Sequence, residues 1–154
     1  MKGKRALIII IVLSSIAILA FLQAEAARNL IVQMFDSKIV EKNDSKTTYD
    51  LTLTFKNPSI LPLSVGDTNY SITVNGEKVG QGRIGTFMLG PFESKAVNSK
   101  FVAYTYLVER YKHSVDQDDS RLQGISTYRL YLLALDIPFE HKPKPEQIRQ
   151  FFNQ

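Results

Sequence analysis

Residues 49–56 read Tyr-Asp-Leu-Thr-Leu-Thr-Phe-Lys, an unbroken alternation of apolar and polar side chains. Successive side chains of a β-strand point to opposite faces of a sheet, so this pattern predicts a strand with one buried and one solvated face. Upstream, residues 30–40 are rich in Ile and Val, and Asn43-Asp44-Ser45 between the two runs favours a turn. The stretch predicts a β-hairpin and, with it, a mainly β domain.

A second hairpin is predicted further along the chain. Residues 70–74 alternate in the same way and lead into Asn75-Gly76. A type I′ turn needs positive φ at both central residues, which Asn and Gly tolerate. Between the hairpins, Asn57-Pro58 predicts a strand end and an irregular crossing, because Pro cannot donate to a ladder.

The hydrophobic period changes after residue 103. Apolar residues then recur with the spacing of one helix face, which predicts a helix; they are Tyr104, Leu107, Val108, Tyr111 and Val115. Residues 94–103 predict a strand, residues 127–139 a strand buried on both faces, and residues 146–152 a terminal helical turn. Six to seven short strands with one packed helix predict an antiparallel β-sandwich.

The N-terminus carries a charge-free apolar run from Ala6 to Leu22. As a helix it is about 26 Å long, close to the thickness of a bilayer core. Basic residues lie at 1–5, so the positive-inside rule keeps that flank in the cytoplasm and places the rest outside. We predict a basic flank at 1–5, a transmembrane signal anchor or signal peptide at 6–23, and a domain at 28–154. Ala24-Glu25-Ala26 fits a small-x-small cleavage site, so both alternatives stay open.

Composition excludes several classes of function. The chain has no Cys, which rules out disulfide scaffolds, thiol catalysis and cysteine-ligated metals. The net charge of +4 depends on the first residues, since residues 27–154 hold 16 cations against 14 anions. We therefore expect a membrane partner through the N-terminal helix and no nucleic-acid partner.

Motifs typical of catalysis fail on their context. Residues 80–85 match G-x-G-x-x-G, but a hairpin precedes them and no helix can follow, so we interpret the glycines as allowing close strand approach. Counted from Asp116, a calcium loop would need Gly and Glu where Arg121 and Thr127 stand. His113 and His141 lack metal-ligand spacing. We predict no catalytic residue, no metal and no cofactor, hence no enzyme.

Two kinds of site remain as predictions. Asn43 and Asn69 begin glycosylation sequons, which export would expose to the modifying machinery. An apolar groove between the predicted helix and the sheet would hold a protein or lipid ligand, or the same side chains simply fill the core; they are Tyr104, Leu107, Val108, Tyr111, Leu130 and Leu132.

The order of features resembles a known family. Residues 52–58 (Thr-Leu-Thr-Phe-Lys-Asn-Pro), Leu61 to Val65, and residues 70–82 around Asn75-Gly76 are similar to the group 2 late embryogenesis abundant family, also called the water-stress and hypersensitive-response (WHy) domain. The resemblance covers roughly residues 28–154. It implies a seven-stranded fibronectin- or Ig-like sandwich with one helix, no enzymatic activity, and a link to stress or desiccation tolerance.

The sequence thus predicts a non-catalytic module at the cell membrane, single-pass, with its C-terminal domain outside the cytoplasm. It would bind a protein, a lipid or a surface polymer. One alternative is a pilin-like filament subunit, since Lys4-Arg5-Ala6 before an apolar helix resembles a prepilin leader. Another is a secreted soluble domain after signal-peptide cleavage.

Overall fold

The computed structural model describes residues 2–113, 119–130 and 133–153 of the chain. The elements in chain order are α1 (Lys2–Arg28), β1 (Ile31–Lys42), β2 (Lys46–Lys56), β3 (Leu63–Val74), β4 (Glu77–Ile84), β5 (Phe87–Leu89), β6 (Ser94–Tyr104), α2 (Thr105–Tyr111), β7 (Ser120–Leu130), β8 (Leu133–His141) and α3 (Pro145–Phe152). The prediction of a mainly β chain behind an apolar N-terminal helix is confirmed.

Helix α1 projects from the β domain. Its Lys4–Arg28 part is long and apolar enough to span a membrane, and nearly all of its side chains before residue 23 are exposed. Only the last turns are covered: Gln23, Ala26 and Ala27 are buried, and α1 contacts β3, β7 and β8. The helix is therefore fixed to the domain at one end only.

Both predicted hairpins are confirmed. In β2, the side chains of Tyr49, Leu51, Leu53 and Phe55 are fully buried, as the alternation requires, and β1 pairs with β2 in antiparallel register. In the β3–β4 hairpin, Asn75 has φ 50° and Gly76 has φ 81°, the two positive values of a type I′ turn.

Two of the three glycines of the G-x-G-x-x-G stretch, Gly80 and Gly82, allow close strand packing, as predicted, whereas Gly85 has open space around it. Gly82 in β4 lies directly beneath the Tyr70 ring, and the backbone of Gly80 lies against Val102 and Ala103 of β6. A Cβ at either position would clash with these atoms. The strand leads into β5 rather than into a helix, so the chain offers no βαβ unit here.

All eight strands join one curled antiparallel sheet in the order β1-β2-β6-β4-β3-β7-β8, with β5 paired to β3. The predicted seven strands in two sheets are thus corrected to eight in one. The reason is β6, which pairs with β2 along its length and with β4 through Gly80↔Ala103 to Gly82↔Phe101, and so links the two halves. The sheet curls until β1 contacts β8.

The single strand predicted over residues 127–139 is wrong. Strand β7 ends at Leu130 and β8 begins at Leu133, and the two pair as an antiparallel hairpin from Leu122↔His141 to Leu130↔Leu133. Residues 131 and 132 lie outside the described part of the chain. The apolar residues that were predicted to form both faces of one strand therefore belong to two strands.

The core lies inside the curled sheet, and two short helices pack on it. The one packed helix that was predicted is α2, while the predicted terminal turn is a second packed helix, α3, with Ile148, Phe151 and Phe152 buried. The Phe151 ring stacks on Tyr49 with centroids 4.3 Å apart and meets Phe101 edge-on at 5.6 Å. Helix α3 therefore completes the core.

Candidate functional site

The predicted groove residues on α2 are divided between core and surface. Leu107, Val108 and Tyr111 are buried. The Tyr111 hydroxyl donates to Glu77 Oε2 at 2.8 Å, and this hydrogen bond raises the pKa of the phenol. Tyr104, in contrast, is 47% exposed and lies beside Tyr106 with ring centroids 6.1 Å apart.

The structure does not bring Leu130 to α2. Strand β7 starts beside Val74, at the end of the sheet where α2 follows β6, and runs away from it. Over 11 residues a strand covers about 35 Å, so Leu130 lies at the opposite end. Leu132 and Val115 are outside the described residues. The backbone of Leu130 therefore lies apart from Leu107, Val108 and Tyr111.

An open groove is instead present on the outward face of the sheet, across β6, β4, β3, β7 and β8. We call it the outer groove; its volume is about 1240 Å³. Its outward-pointing lining residues are Asp67, Asn69, Ser71, Lys78, Gln81, Arg83, Lys100, Val102, Gln123, Ile125, Thr127, Asp136, Pro138 and Glu140. In the sequence, most of its lining residues are the polar positions of alternating strands. Periodicity alone predicts only that such positions face solvent.

Charges in the outer groove balance, and four of the six charged side chains are held in ion pairs. Three cations (Lys78, Arg83, Lys100) face three anions (Asp67, Asp136, Glu140). Arg83 contacts Asp67 at 2.6 Å, and Lys100 contacts Asp50 of β2 at 2.6 Å. Glu140 contacts Arg121 at 2.7 Å. The groove is therefore polar without a net charge.

Its floor combines side-chain amides and hydroxyls with a few apolar groups. The polar groups are Asn69, Ser71, Gln81, Gln123 and Thr127, and Thr127 donates to Asp136 at 2.7 Å. Ile125 is 53% exposed and Val102 is 37% exposed, which makes them the apolar part of the floor. Amides both donate and accept hydrogen bonds, so the floor can pair with hydroxyl or amide groups.

The two sequon asparagines lie in different settings. Asn43 is exposed in the β1–β2 turn, where its Oδ1 accepts hydrogen bonds from the Ser45 and Lys46 backbone at 3.0 and 2.8 Å. Asn69 lies in the middle of β3, paired with Arg83 on one side and Ile125 on the other, and faces the outer groove. Glycosylation at either one stays a prediction.

The titratable residues singled out from the sequence do not cluster. Asp119 pairs with Lys142 and Arg121 at 2.9 and 2.8 Å, which lowers the pKa of its carboxyl. Burial lowers the pKa of His141, and His113 is exposed two residues after the end of α2. Within the described ranges no group of three or more His, Cys, Asp or Glu side chains could hold a metal ion. Asp116 and Asp118 lie outside these ranges.

A structural site that the sequence analysis passed over is centred on Asn57. Its buried side chain donates to the Leu61 and Gly90 carbonyl oxygens at 2.8 and 2.9 Å and accepts from the Ser59 backbone and hydroxyl. Its backbone N–H donates to Glu93 at 2.9 Å. Asn57 thereby joins the 57–62 crossing to the loop at 90–93. The signal was an Asn directly before Pro at a strand end.

Comparison with known proteins identifies relatives of the fold. No protein-family model and no curated protein sequence matches the chain. A protein from Arabidopsis thaliana solved in solution is similar over 73% of this chain and 82% of its own, with 19% identity and a TM-score of 0.53.

The solution structure of a candidate late embryogenesis abundant protein is similar over 91% of this chain and 83% of its own, with 13% identity and a TM-score of 0.50. A protein from Archaeoglobus fulgidus, with 15% identity, covers 74% of this chain and 91% of its own at a TM-score of 0.46. At these identities the first two likenesses show the fold alone, a mainly β fold that this chain shares with both proteins.

Proposed function

We propose that this chain is a non-catalytic module anchored in the cell membrane by α1, with its β domain outside the cytoplasm. The observation that carries the proposal is the exposed apolar surface of α1, on which only the last turns pack against the domain. An apolar helix with no protein cover needs lipid around it, since water would otherwise meet all of its side chains. The cations at 1–5 support the outward orientation.

The test is the fate of the full chain in cells. We expect it to stay in the membrane fraction after high-salt washing and to dissolve only in detergent. Protease added outside should remove residues 28–154 but leave the N-terminal flank. Recovery of the intact chain in the soluble fraction would contradict anchoring. Sequencing the mature N-terminus separates the alternatives: Met1 supports the anchor, Leu7 a pilin-like filament subunit, and Ala27 a secreted domain.

For the ligand, we infer an extended, uncharged, hydroxyl-rich surface polymer bound in the outer groove. The amide and hydroxyl floor offers donors and acceptors together, and the balanced charge favours no ionic ligand. The groove crosses five strands, so it suits a chain rather than a compact molecule. This choice replaces the α2 groove as the proposed binding surface.

Titration of the detergent-solubilised protein with a neutral polysaccharide tests the ligand class. Ile125→Trp should fill the floor and abolish binding, whereas Val40→Trp, at an exposed β1 position outside the groove, should leave it unchanged. Binding of an extended peptide instead, with the same dependence on Ile125, would keep the groove and overturn the polymer. No difference between the two variants would overturn the groove itself.

We also propose a role in tolerance of water stress. It is supported by the resemblance of residues 52–82 to the WHy pattern and by the fold shared with the candidate late embryogenesis abundant protein. Cells lacking the protein should survive drying less well than cells carrying it. Rescue by the wild-type chain but not by Ile125→Trp would connect survival to the outer groove.

A further inference from the structure

Two apolar side chains project from the same end of the sheet to which α1 is attached. Ile60 is 72% exposed and Phe92 is 65% exposed. Ile60 lies in the loop that follows the end of β2, and Phe92 lies in the loop that leads into the start of β6. Both lie on loops that are hydrogen-bonded to each other, and together they place two large apolar side chains at one end of the sheet.

The strand register places these loops beside the point where α1 enters the domain. Ile31, three residues after the end of α1, pairs with Lys56, and Lys56 pairs with Ser94. The 57–62 crossing follows Lys56 directly, and the 90–93 loop directly precedes Ser94. Neighbouring strands are about 4.8 Å apart, so the α1 entry and both loops lie within about 10 Å across the sheet.

The distance to the lipid along α1 is short. The apolar run ends at Leu22, and Gln23–Arg28 adds about 9 Å of helix before the domain begins. The headgroup region on each side of the hydrocarbon core is about 5–8 Å thick. Because the domain already covers Gln23, Ala26 and Ala27, the loop-bearing end of the sheet reaches back along α1 toward the headgroups.

The hydrogen bonds of these loops fix the positions of Ile60 and Phe92, whose exposed side chains we call the apolar tips. Phe92 has φ 56°, a conformation that side chains other than Gly, Asn and Asp rarely adopt. It is fixed by Phe92 N–H donating to Ser59 at 3.0 Å and Glu93 N–H donating to Gly90 at 3.2 Å. Lys56 and Lys95 flank the tips, with Lys95 Nζ over the Phe87 ring at 5.9 Å. Apolar tips with adjacent lysines are typical of side chains at a membrane interface.

We propose that Ile60 and Phe92 insert into the interface of the same bilayer that α1 spans, so that the domain is held against the membrane at a second place. This rests on the proposed anchoring by α1. The lipid surface is the proposed occupant because the register brings both tips to the attachment end, which is the end nearest the bilayer once α1 is inserted.

The chain contains no Cys, so single cysteines can carry a fluorophore without background labelling. The full chain is placed in phosphatidylcholine–phosphatidylglycerol vesicles whose acyl chains are brominated near the headgroup. Labels at Ile60→Cys and Phe92→Cys should lose more than half of their emission. A label at Tyr106→Cys, exposed on α2 at the opposite end, should lose none.

A label at Leu13→Cys within α1 distinguishes the two ways of failing. If the label at Leu13 is quenched while the labels at Ile60 and Phe92 stay as bright as the label at Tyr106, the inference is overturned and the anchor stands. No quenching at Leu13 overturns the anchor and the inference with it.

A second measurement keeps the native tips. With the label at Met88→Cys, which is exposed at the same end, quenching should be lost in an Ile60→Asn/Phe92→Asn double variant. Asn tolerates positive φ, so the loop fold is kept. The matched Tyr104→Asn/Tyr106→Asn variant should retain quenching. Equal quenching in both double variants would contradict insertion of the tips.

Discussion

A single residue, Asn57, connects two loops that no strand ladder joins. Its side chain makes three hydrogen bonds within the 57–62 crossing and donates one across to Gly90, and its backbone N–H donates across to Glu93. Asn57→Ala would remove one of the two hydrogen bonds that each of the Leu61 and Gly90 carbonyl oxygens accepts, and it would take away the acceptor of the Ser59 N–H. We expect it to lower the free energy of unfolding by about 2–4 kcal/mol.

Urea unfolding of the full chain in detergent measures this change. Asn98→Ala is the matched control, because Asn98 is exposed and its Oδ1 accepts one hydrogen bond, from Thr52. That variant should stay within about 0.5 kcal/mol of wild type. Equal losses of unfolding free energy in the two variants would show that the buried hydrogen bonds of Asn57 stabilise the fold no more than the exposed one of Asn98.

At the scale of elements, α3 is the part whose contribution most exceeds its length. Its eight residues bury Phe151 between the rings of Tyr49 and Phe101, and Phe152 lies near Tyr111 of α2. Phe151→Ala removes a ring from a closed core, so we expect a loss of about 3–5 kcal/mol in unfolding free energy. Phe92→Ala removes the same ring from an exposed loop and should change stability in detergent by about 0.5 kcal/mol or less. A small effect of Phe151→Ala would place α3 outside the core.

The elements show how much of the fold the sequence determines locally. Strand β2 and the Asn75-Gly76 turn were predicted correctly because side-chain alternation and positive φ are properties of adjacent residues. The β7–β8 hairpin was missed because Leu130 and Leu133 flank Tyr131 and Leu132, which carry no turn signal. The link between β4 and β6 depends on residues twenty positions apart, which no local pattern specifies.

The site was less predictable than the strands. Leu107, Val108 and Tyr111 were correctly placed on one helix face, but a face does not reveal which end of the sheet it meets. The outer groove is made by curvature of the whole sheet, and its side chains differ little from any solvated strand face. The apolar residues among them, Val102, Ile125 and Pro138, were its local signs.

At the scale of the whole molecule, buried phenols make stability depend on pH in the alkaline range. Burial raises the pKa of Tyr70 and of Tyr128 to about 12, and raises that of Tyr49 as well. An unfolded tyrosine ionises near 10, so above that pH the unfolded chain loses protons that the folded chain keeps. Stability should be full below pH 10 and should fall as the pH rises toward about 12.

Denaturant unfolding in detergent at several pH values measures this dependence. The Tyr49→Phe/Tyr70→Phe/Tyr128→Phe variant should show a flatter decline between pH 10 and 12, even if its stability at neutral pH differs. Replacing the exposed Tyr104 and Tyr106 by Phe should leave the decline unchanged. A decline that persists in the triple variant would assign it to other groups.

The direct passage from α1 into β1 also decides how the molecule would carry mechanical load. If a ligand held the outer groove while lipid held α1, tension would pass along β1 and across its ten register pairs with β2. Antiparallel hydrogen bonds lie perpendicular to the strands, so such a pull shears all of them at once rather than peeling them singly. Pulled from its anchor in a single-molecule experiment, the domain should yield in one abrupt event, and gradual lengthening at low force would show that β1 detaches pair by pair.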